Sequence, residues 1–434
     1  MTPTALGIAG LAGLFALLAL RMPVGIAMLL VGFIGFGLVN GWAPALALLA
    51  GEPFVISSNY ELIVVPLFVL MGNLATVSGM SRDLYSAAYA WVGHWRGGLA
   101  SATIAACSGF AALSGSSVAS ALTMGQVALP EMRRYKYDPG LATGCVAAGG
   151  TLGILIPPST GFVIYAILTQ ESIGKLFLAG VFPGLLLTVL FILTIYIQTR
   201  INPDLGPAGP EMAWSAKIKA TSQAGFMTGI VVITIGGIYG GLFTPTEAAG
   251  IGAFLALLLA LFRRKLTMAA LSSILLQSVR TTALVFLILI GAFIFSPFLA
   301  LTHVASNLVG LLTGIDLPGH AILFLVLFVY IILGMFLEGF AMLVLTIPIV
   351  HPLITALGFD PIWFGVLIVI VLEMGLISPP VGVNVYVVKG VAEDVSMGQI
   401  FSGIIPFWIA MAVGLVILIA FPQIALFLPN SMIK

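Results

Sequence analysis

Three carboxylates, Glu247, Glu338 and Glu373, sit inside apolar stretches of a chain that is 61% hydrophobic and only 7% charged. An acid at membrane depth is costly, so it marks an ion or substrate path unless a local partner explains it. Glu247, in Thr244-Pro-Thr-Glu-Ala-Ala, has the look of a first-turn acid at a helix start, and Glu373 reads as a bridge between two helices. Glu338 interrupts an apolar run beside Gly339, where contact with a substrate or ion competes with a capped structural acid. Two proline pairs, Pro157-Pro158 and Pro379-Pro380, lie near the centres of the apolar segments 141–169 and 361–388. Each pair deletes two backbone donors and breaks the helix, freeing carbonyls at mid-membrane depth. Carbonyls at a half-helix C-terminus suit a hard cation such as sodium, and half-helix N-termini attract carboxylates; a structural kink is the plainer alternative. Thr160 and Asn384 follow the breaks and would add side-chain oxygens to such a site, or else only helix–helix hydrogen bonds.

These residues must be placed by membrane helices. A soluble chain of 434 residues would carry roughly a quarter charged residues. Here apolar runs of about 20 residues, each enough to cross a bilayer, follow one another almost without a gap. The reading is an all-α polytopic membrane protein. With 16 Lys+Arg against 15 Asp+Glu there is no basic face for nucleic acid. The longest polar stretch, Arg200 to Thr221, is too short for a soluble domain. The N-terminus lacks a basic n-region and a cleavage site, so it reads as a first span. Cys107 and Cys145, among Ala and Gly, read as packing residues and not as a disulfide. The four histidines show no metal spacing, and with no CxxC, HExxH or Walker-type motif the chain reads as a non-enzyme that does not hydrolyse ATP.

An internal repeat organises the rest. At an offset of 222, Pro23 falls on Pro245, Gly97 on Gly319, Pro130 on Pro352, Asp138-Pro139 on Asp360-Pro361, Gly153 on Gly375, and one Pro pair on the other. Residues 1–221 and 222–434 are therefore two similar halves. The first half reads as spans at about 5–20, 24–40 and 61–78, an amphipathic stretch, an interrupted segment at about 99–129, a broken helix at about 141–169 and a further span. Segment 99–129 is broken at Ser114-Gly115-Ser116-Ser117, and each arm reaches only about 22 Å against a core of about 30 Å, so it reads as a re-entrant hairpin. Its mate is a hairpin at about 320–351 broken near Glu338, followed by a broken helix at about 361–388. Five crossings per half is odd, so the halves enter from opposite sides. With the N-terminus outside, fourteen Lys and Arg fall in cytoplasmic loops, leaving only Lys175 and Lys434 outside, as the positive-inside rule expects. This is an inverted-topology repeat, the plan of secondary transporters that alternate access.

The runs PLFVLMGNLATVSGMSRDLY, SGFAALSGSSVAS, GGTLGILIPPST, GGLFTPTEAAG and MGLISPPVGVNVY resemble the large membrane subunit of the tripartite ATP-independent periplasmic (TRAP) transporters, over essentially the whole chain. The resemblance implies a sodium-coupled, elevator-type importer of an organic acid in a bacterial inner membrane, with both termini periplasmic. It implies two partners: a small four-helix membrane subunit, expected as a separate polypeptide because this chain begins with its first span, and a periplasmic substrate-binding protein. It places a first sodium site at Ser114, Gly153, Ile156 and Pro158 and a second at Gly375, Ser378 and Pro380. Ser116, Ser117, Thr160, Glu338 and Asn384 would face the substrate, although the family often has Asp where this chain has Glu338. The hairpins and broken helices would form a mobile block and the spans 5–40 and 222–262 a scaffold. A polar patch with Lys175, Asp316 and Asp360 would receive the binding protein. A carrier of the same superfamily that needs no binding protein is the alternative.

Overall fold

The computed structural model describes residues 2–313 and 317–432; Asp316 and Lys434 lie outside them. The first half is built from ten α-helices: α1 (Pro3–Ala19), α2 (Val24–Asn40), α3 (Trp42–Ser57), α4 (Val64–Ser78), α5 (Met80–Val92), α6 (Gly98–Ser114), α7 (Ser117–Arg134), α8 (Pro139–Leu155), α9 (Thr160–Thr169) and α10 (Ile173–Ile201). The second half follows with α11 (Trp214–Tyr239), α12 (Pro245–Phe262), α13 (Met268–Leu301), α14 (Val304–Thr313), α15 (Gly319–Gly334), α16 (Gly339–Ala356), α17 (Pro361–Leu376), α18 (Val383–Val391), α19 (Met397–Ala420) and α20 (Gln423–Ser431). No strand occurs among the described residues. Seven of the described helices are long and apolar enough to cross a membrane, and α8 with α9 form an eighth candidate bent by 41°.

The element order repeats along the chain. α6 to α10 recur as α15 to α19, and α2 recurs as α12, each shifted by close to 222 residues. The halves differ at α3, a 16-residue helix where the sequence reading placed nothing. Its counterpart and that of α4 run together as the single 34-residue α13. In the first half Asn59 interrupts that path by accepting the Glu61 amide at 2.9 Å and starting a short 3-10 turn.

Local chemistry fixes where the helices of the repeated units begin. Asp138 accepts the Leu141 amide at 2.9 Å, and Asp360 accepts the amides of Ile362 and Trp363 at 2.8 and 3.0 Å. A proline follows each aspartate at the first helical position, where its missing N–H costs nothing. Thr244 with Glu247 and Ser396 with Gln399 form reciprocal capping boxes. Glu247 is thus the helix-start acid expected of it. The interior is packed by α8 and α17, in which nearly every residue is buried. The outer faces of α2, α11 and α13 expose large apolar side chains such as Ile34, Phe226 and Leu284, as a lipid-facing surface does.

Candidate functional site

The first hairpin turns at Gly115, whose φ of +60° ends α6 in the left-handed region. Ser116 then caps α7, accepting the Ala119 amide at 3.4 Å. The tip is closed on itself by serines: the Ser114 hydroxyl donates to the Ser116 carbonyl at 3.1 Å and lies 2.7 Å from the Ser120 hydroxyl. Ser120, one turn into α7, is fully buried.

The first broken helix meets this tip. The Pro157–Pro158 bond is cis, and the Ser159 hydroxyl donates to the Ile154 carbonyl while capping α9 through the Phe162 amide. Thr160 donates its hydroxyl to the Gly115 carbonyl at 2.8 Å. A methyl on Gly115 would fall 2.9 Å from the Pro158 carbonyl oxygen, and one on Gly153 would fall 2.5 Å from the Ser116 carbonyl oxygen. Tip and break thus meet backbone to backbone at two close approaches, Gly115 on Pro158 and Gly153 on Ser116. Ser114, Gly153, Pro158, Ser116 and Thr160 are brought together there. The Ile156 side chain turns away to pack on Gly184 of α10, leaving Ile156 only its backbone to offer.

The second joint repeats the plan with different chemistry. A Cβ on Gly375 would lie 2.6 Å from the Cα of Gly334, so hairpin arm and broken helix touch backbone to backbone. Ser378 is engaged twice: its hydroxyl donates to the Met374 carbonyl at 2.6 Å and accepts the Trp408 indole N–H at 3.0 Å. Pro380, also in a cis bond, and Glu338 at the tip are exposed, whereas Pro157 and Pro158 are buried. The second joint is open and the first is shut. Glu338 caps α16, accepting the Ala341 amide at 3.2 Å.

Glu373 joins the two tips. It is 1% exposed and receives the Asn384 amide nitrogen at 3.4 Å. Ser117, at the start of α7, and Glu338, at the second tip, lie near the carboxyl. Glu373 bridges helices as the sequence reading had it, but the helices are a hairpin arm and the half-helix α18. Ser120 and the centrality of Glu373 escape sequence reasoning. The only signal for Ser120 is its place one turn beyond the Ser114–Ser117 cluster, on the face that returns to the tip.

The chain as a whole is similar to known membrane proteins. The model of the tripartite ATP-independent periplasmic transporter DctM component matches residues 11–424. The chain belongs to the DctM family. This family is one of transporters and not of enzymes, and the chain is a multi-pass membrane protein. It is 38% identical, over 88% of its length and 89% of the relative's, to the C4-dicarboxylate TRAP transporter large permease protein DctM of Pseudomonas aeruginosa. It is 33% identical, over 96% of its length and 97% of the relative's, to the sialic acid TRAP transporter large permease protein SiaM of Vibrio cholerae. Its fold is similar to that of the Alcanivorax borkumensis YdaH transporter, with a TM-score of 0.65 at 15% identity over 89% of this DctM-family chain and 90% of the other.

Proposed function

We propose that this chain imports an organic acid across the bacterial inner membrane, driven by an inward sodium gradient, with an elevator motion of the hairpins and broken helices against the remaining spans. The observation that carries this reading is the convergence of each hairpin tip on its broken helix, with Glu338 and Glu373 beside the joint. Two carboxyls near an anion's path repel it. Cations held by backbone oxygens around Ser114, Gly153 and Pro158, and around Gly375, Ser378 and Pro380, would offset that repulsion and order the tips. Substrate and sodium then raise each other's affinity by the same factor.

The relatives named for C4-dicarboxylate and sialic acid support a carboxylate substrate. In this reading a periplasmic binding protein delivers the acid, docking near Lys175 and Asp360, and a separate four-helix small subunit packs on the scaffold. Both termini face the periplasm and the two halves are inverted relative to each other. A cavity of about 710 Å³ between α5, α7 and α11, lined by Arg82, Lys219 and Glu131, carries two cations against one acid and suits an anion leaving toward the cytoplasm.

The test is uptake of radiolabelled C4-dicarboxylates and sialic acid into proteoliposomes holding this chain and its small subunit, with the binding protein present or absent. Uptake that needs both sodium and the binding protein is expected. Uptake indifferent to the binding protein would favour the stand-alone carrier, and uptake indifferent to sodium would overturn the coupling.

A further inference from the structure

The acids around one cavity are committed elsewhere, while its cations are not. The cavity of about 710 Å³ lies between α5, the base of the first hairpin and α11, and is lined by Arg82 of α5 and Lys219 of α11. None of the described ion pairs includes either residue. Asp83, next to Arg82 in the chain, is held instead by Arg263 of α12 at 2.5 Å, and the same guanidinium donates to the Ser78 carbonyl. Glu131, an acid in the lining, lies 4.0 Å from Arg134. Glu211, just ahead of α11, is 3.7 Å from Lys217, whose ammonium lies 5.3 and 5.8 Å from the ring centroids of Trp214 and Trp91. Among the described residues, Arg82 and Lys219 are left with no acid of their own.

A buried donor faces the same space. Tyr85 lines the cavity and is 5% exposed, yet its hydroxyl has no hydrogen-bond partner among the described residues. A buried hydroxyl left unpaired is costly. The neighbouring tyrosines are engaged elsewhere: the Tyr89 hydroxyl lies 3.3 Å from that of Tyr135, and the Tyr137 hydroxyl accepts the Leu99 amide at 3.1 Å. Gln126 of α7 and Gln223 of α11 add amide donors to the lining. Two unpaired cations, an orphaned hydroxyl and two amides suit an anion with several acceptor oxygens, as a phosphate has.

We propose that this cavity binds the phosphate group of an anionic phospholipid. Its volume is that of a small-molecule site and admits a whole headgroup. Trp91 and Trp214, on the same two helices, meet edge-on at 5.7 Å and are exposed, as tryptophans at the headgroup level are. Basic pockets between membrane helices on the cytoplasmic side take anionic headgroups. Further along α5 and α11, Leu84, Met227 and Val231 belong to the mainly apolar lining of a second cavity of about 260 Å³, which suits an acyl chain. The placement in the cytoplasmic leaflet rests on the orientation proposed above, and a departing substrate acid would compete with the phosphate for the same two cations. Because α7 belongs to the mobile hairpin and α11 to the scaffold in that reading, a lipid held by both favours this position of the hairpin.

Native mass spectrometry of the full chain in detergent tests this without transport or a defined orientation, so its failure is distinguishable from failure of the import reading. Titration with phosphatidylglycerol should give one retained lipid, and phosphatidylcholine, whose choline meets the two cations, should be retained far less. Arg82→Gln and Lys219→Gln should each weaken phosphatidylglycerol binding about fivefold. Tyr85→Phe, which keeps the ring, should weaken it several-fold, and Lys265→Gln, outside the lining, should leave it unchanged. Inorganic phosphate, the free source of the same chemistry, should displace little of the lipid. No retained phosphatidylglycerol, equal retention of the two lipids, or binding unchanged in Arg82→Gln and Lys219→Gln would overturn the proposal. So would an equal loss in Lys265→Gln, which would mean diffuse attraction, or phosphate that displaces the lipid and is held in its place.

Discussion

The Thr160 hydroxyl of α9 donates to the Gly115 carbonyl at the tip of the first hairpin over 2.8 Å, and the Thr160 amide reaches the same oxygen at 3.4 Å. One carbonyl therefore ties the turn of a hairpin to the start of a half-helix 45 residues later. The bond fixes the separation of tip and break, which sets whether the surrounding oxygens can share an ion. Thr160→Val keeps the shape and removes the hydroxyl. Unfolding stability should fall by about 1 kcal/mol, and half-saturation by sodium, read from thermal unfolding in NaCl against KCl, should move several-fold upward.

Close approach at Gly153 makes a sharper test. An added methyl meets the Ser116 carbonyl oxygen at 2.5 Å and the Ser120 hydroxyl at 2.6 Å, and the first of these is backbone that cannot swing clear. Gly153→Ala should cost about 1–3 kcal/mol through overpacking and abolish the sodium response. Gly225→Ala, where nothing lies within 4 Å, should leave both intact. Equal behaviour of the two variants would contradict the geometry.

At the second joint, Ser378 is the acceptor for an indole. Ser378→Ala leaves the Trp408 N–H without its oxygen, at a cost of about 1–3 kcal/mol, whereas Trp408→Phe removes both donor and need and should cost less. The proton and one of the two lone pairs of this hydroxyl are already committed, and in this account Ser378 meets the cation through its carbonyl. Sodium half-saturation in Ser378→Ala should thus shift less than in Thr160→Val, measured by the same unfolding assay.

Glu338 holds two roles that substitution separates. Glu338→Gln keeps an oxygen to cap the Ala341 amide and loses the charge, while Glu338→Ala loses both, with about 1 kcal/mol of capping stability. If the charge serves transport, both variants should reduce uptake similarly and only Glu338→Ala should lower the unfolding temperature. Uptake retained in Glu338→Gln would reduce the residue to a cap.

Much of this fold is written in residues that stop helices. The Pro pairs, Asp138-Pro139 and Asp360-Pro361, and the Ser114–Ser117 cluster mark the hairpins and breaks because each acts on its own backbone within one turn. What the sequence hides is contact between distant segments. Glu373 is flanked by Val371, Leu372 and Met374, and nothing local indicates that Ser117 and Asn384 converge on it. Ser120 looks like any small polar residue on a helix until the hairpin folds it back onto Ser114. Helix α3 is one the sequence does not announce: Gly41, Pro44 and Pro53 disfavour a helix interior, yet both prolines are accommodated within its 16 residues. The openness of the second joint against the closed first is likewise a property of tertiary position, since the two breaks have the same Pro-Pro signature.

The central claim is that sodium assembles each tip with its broken helix. Hydrogen–deuterium exchange of the chain in nanodiscs, in NaCl against KCl at equal ionic strength, tests it most directly. The account predicts slower exchange in sodium at residues 111–120 with 153–160 and at 334–341 with 375–384, and unchanged exchange in α11 and α12. Identical exchange of the four segments in both salts would contradict it.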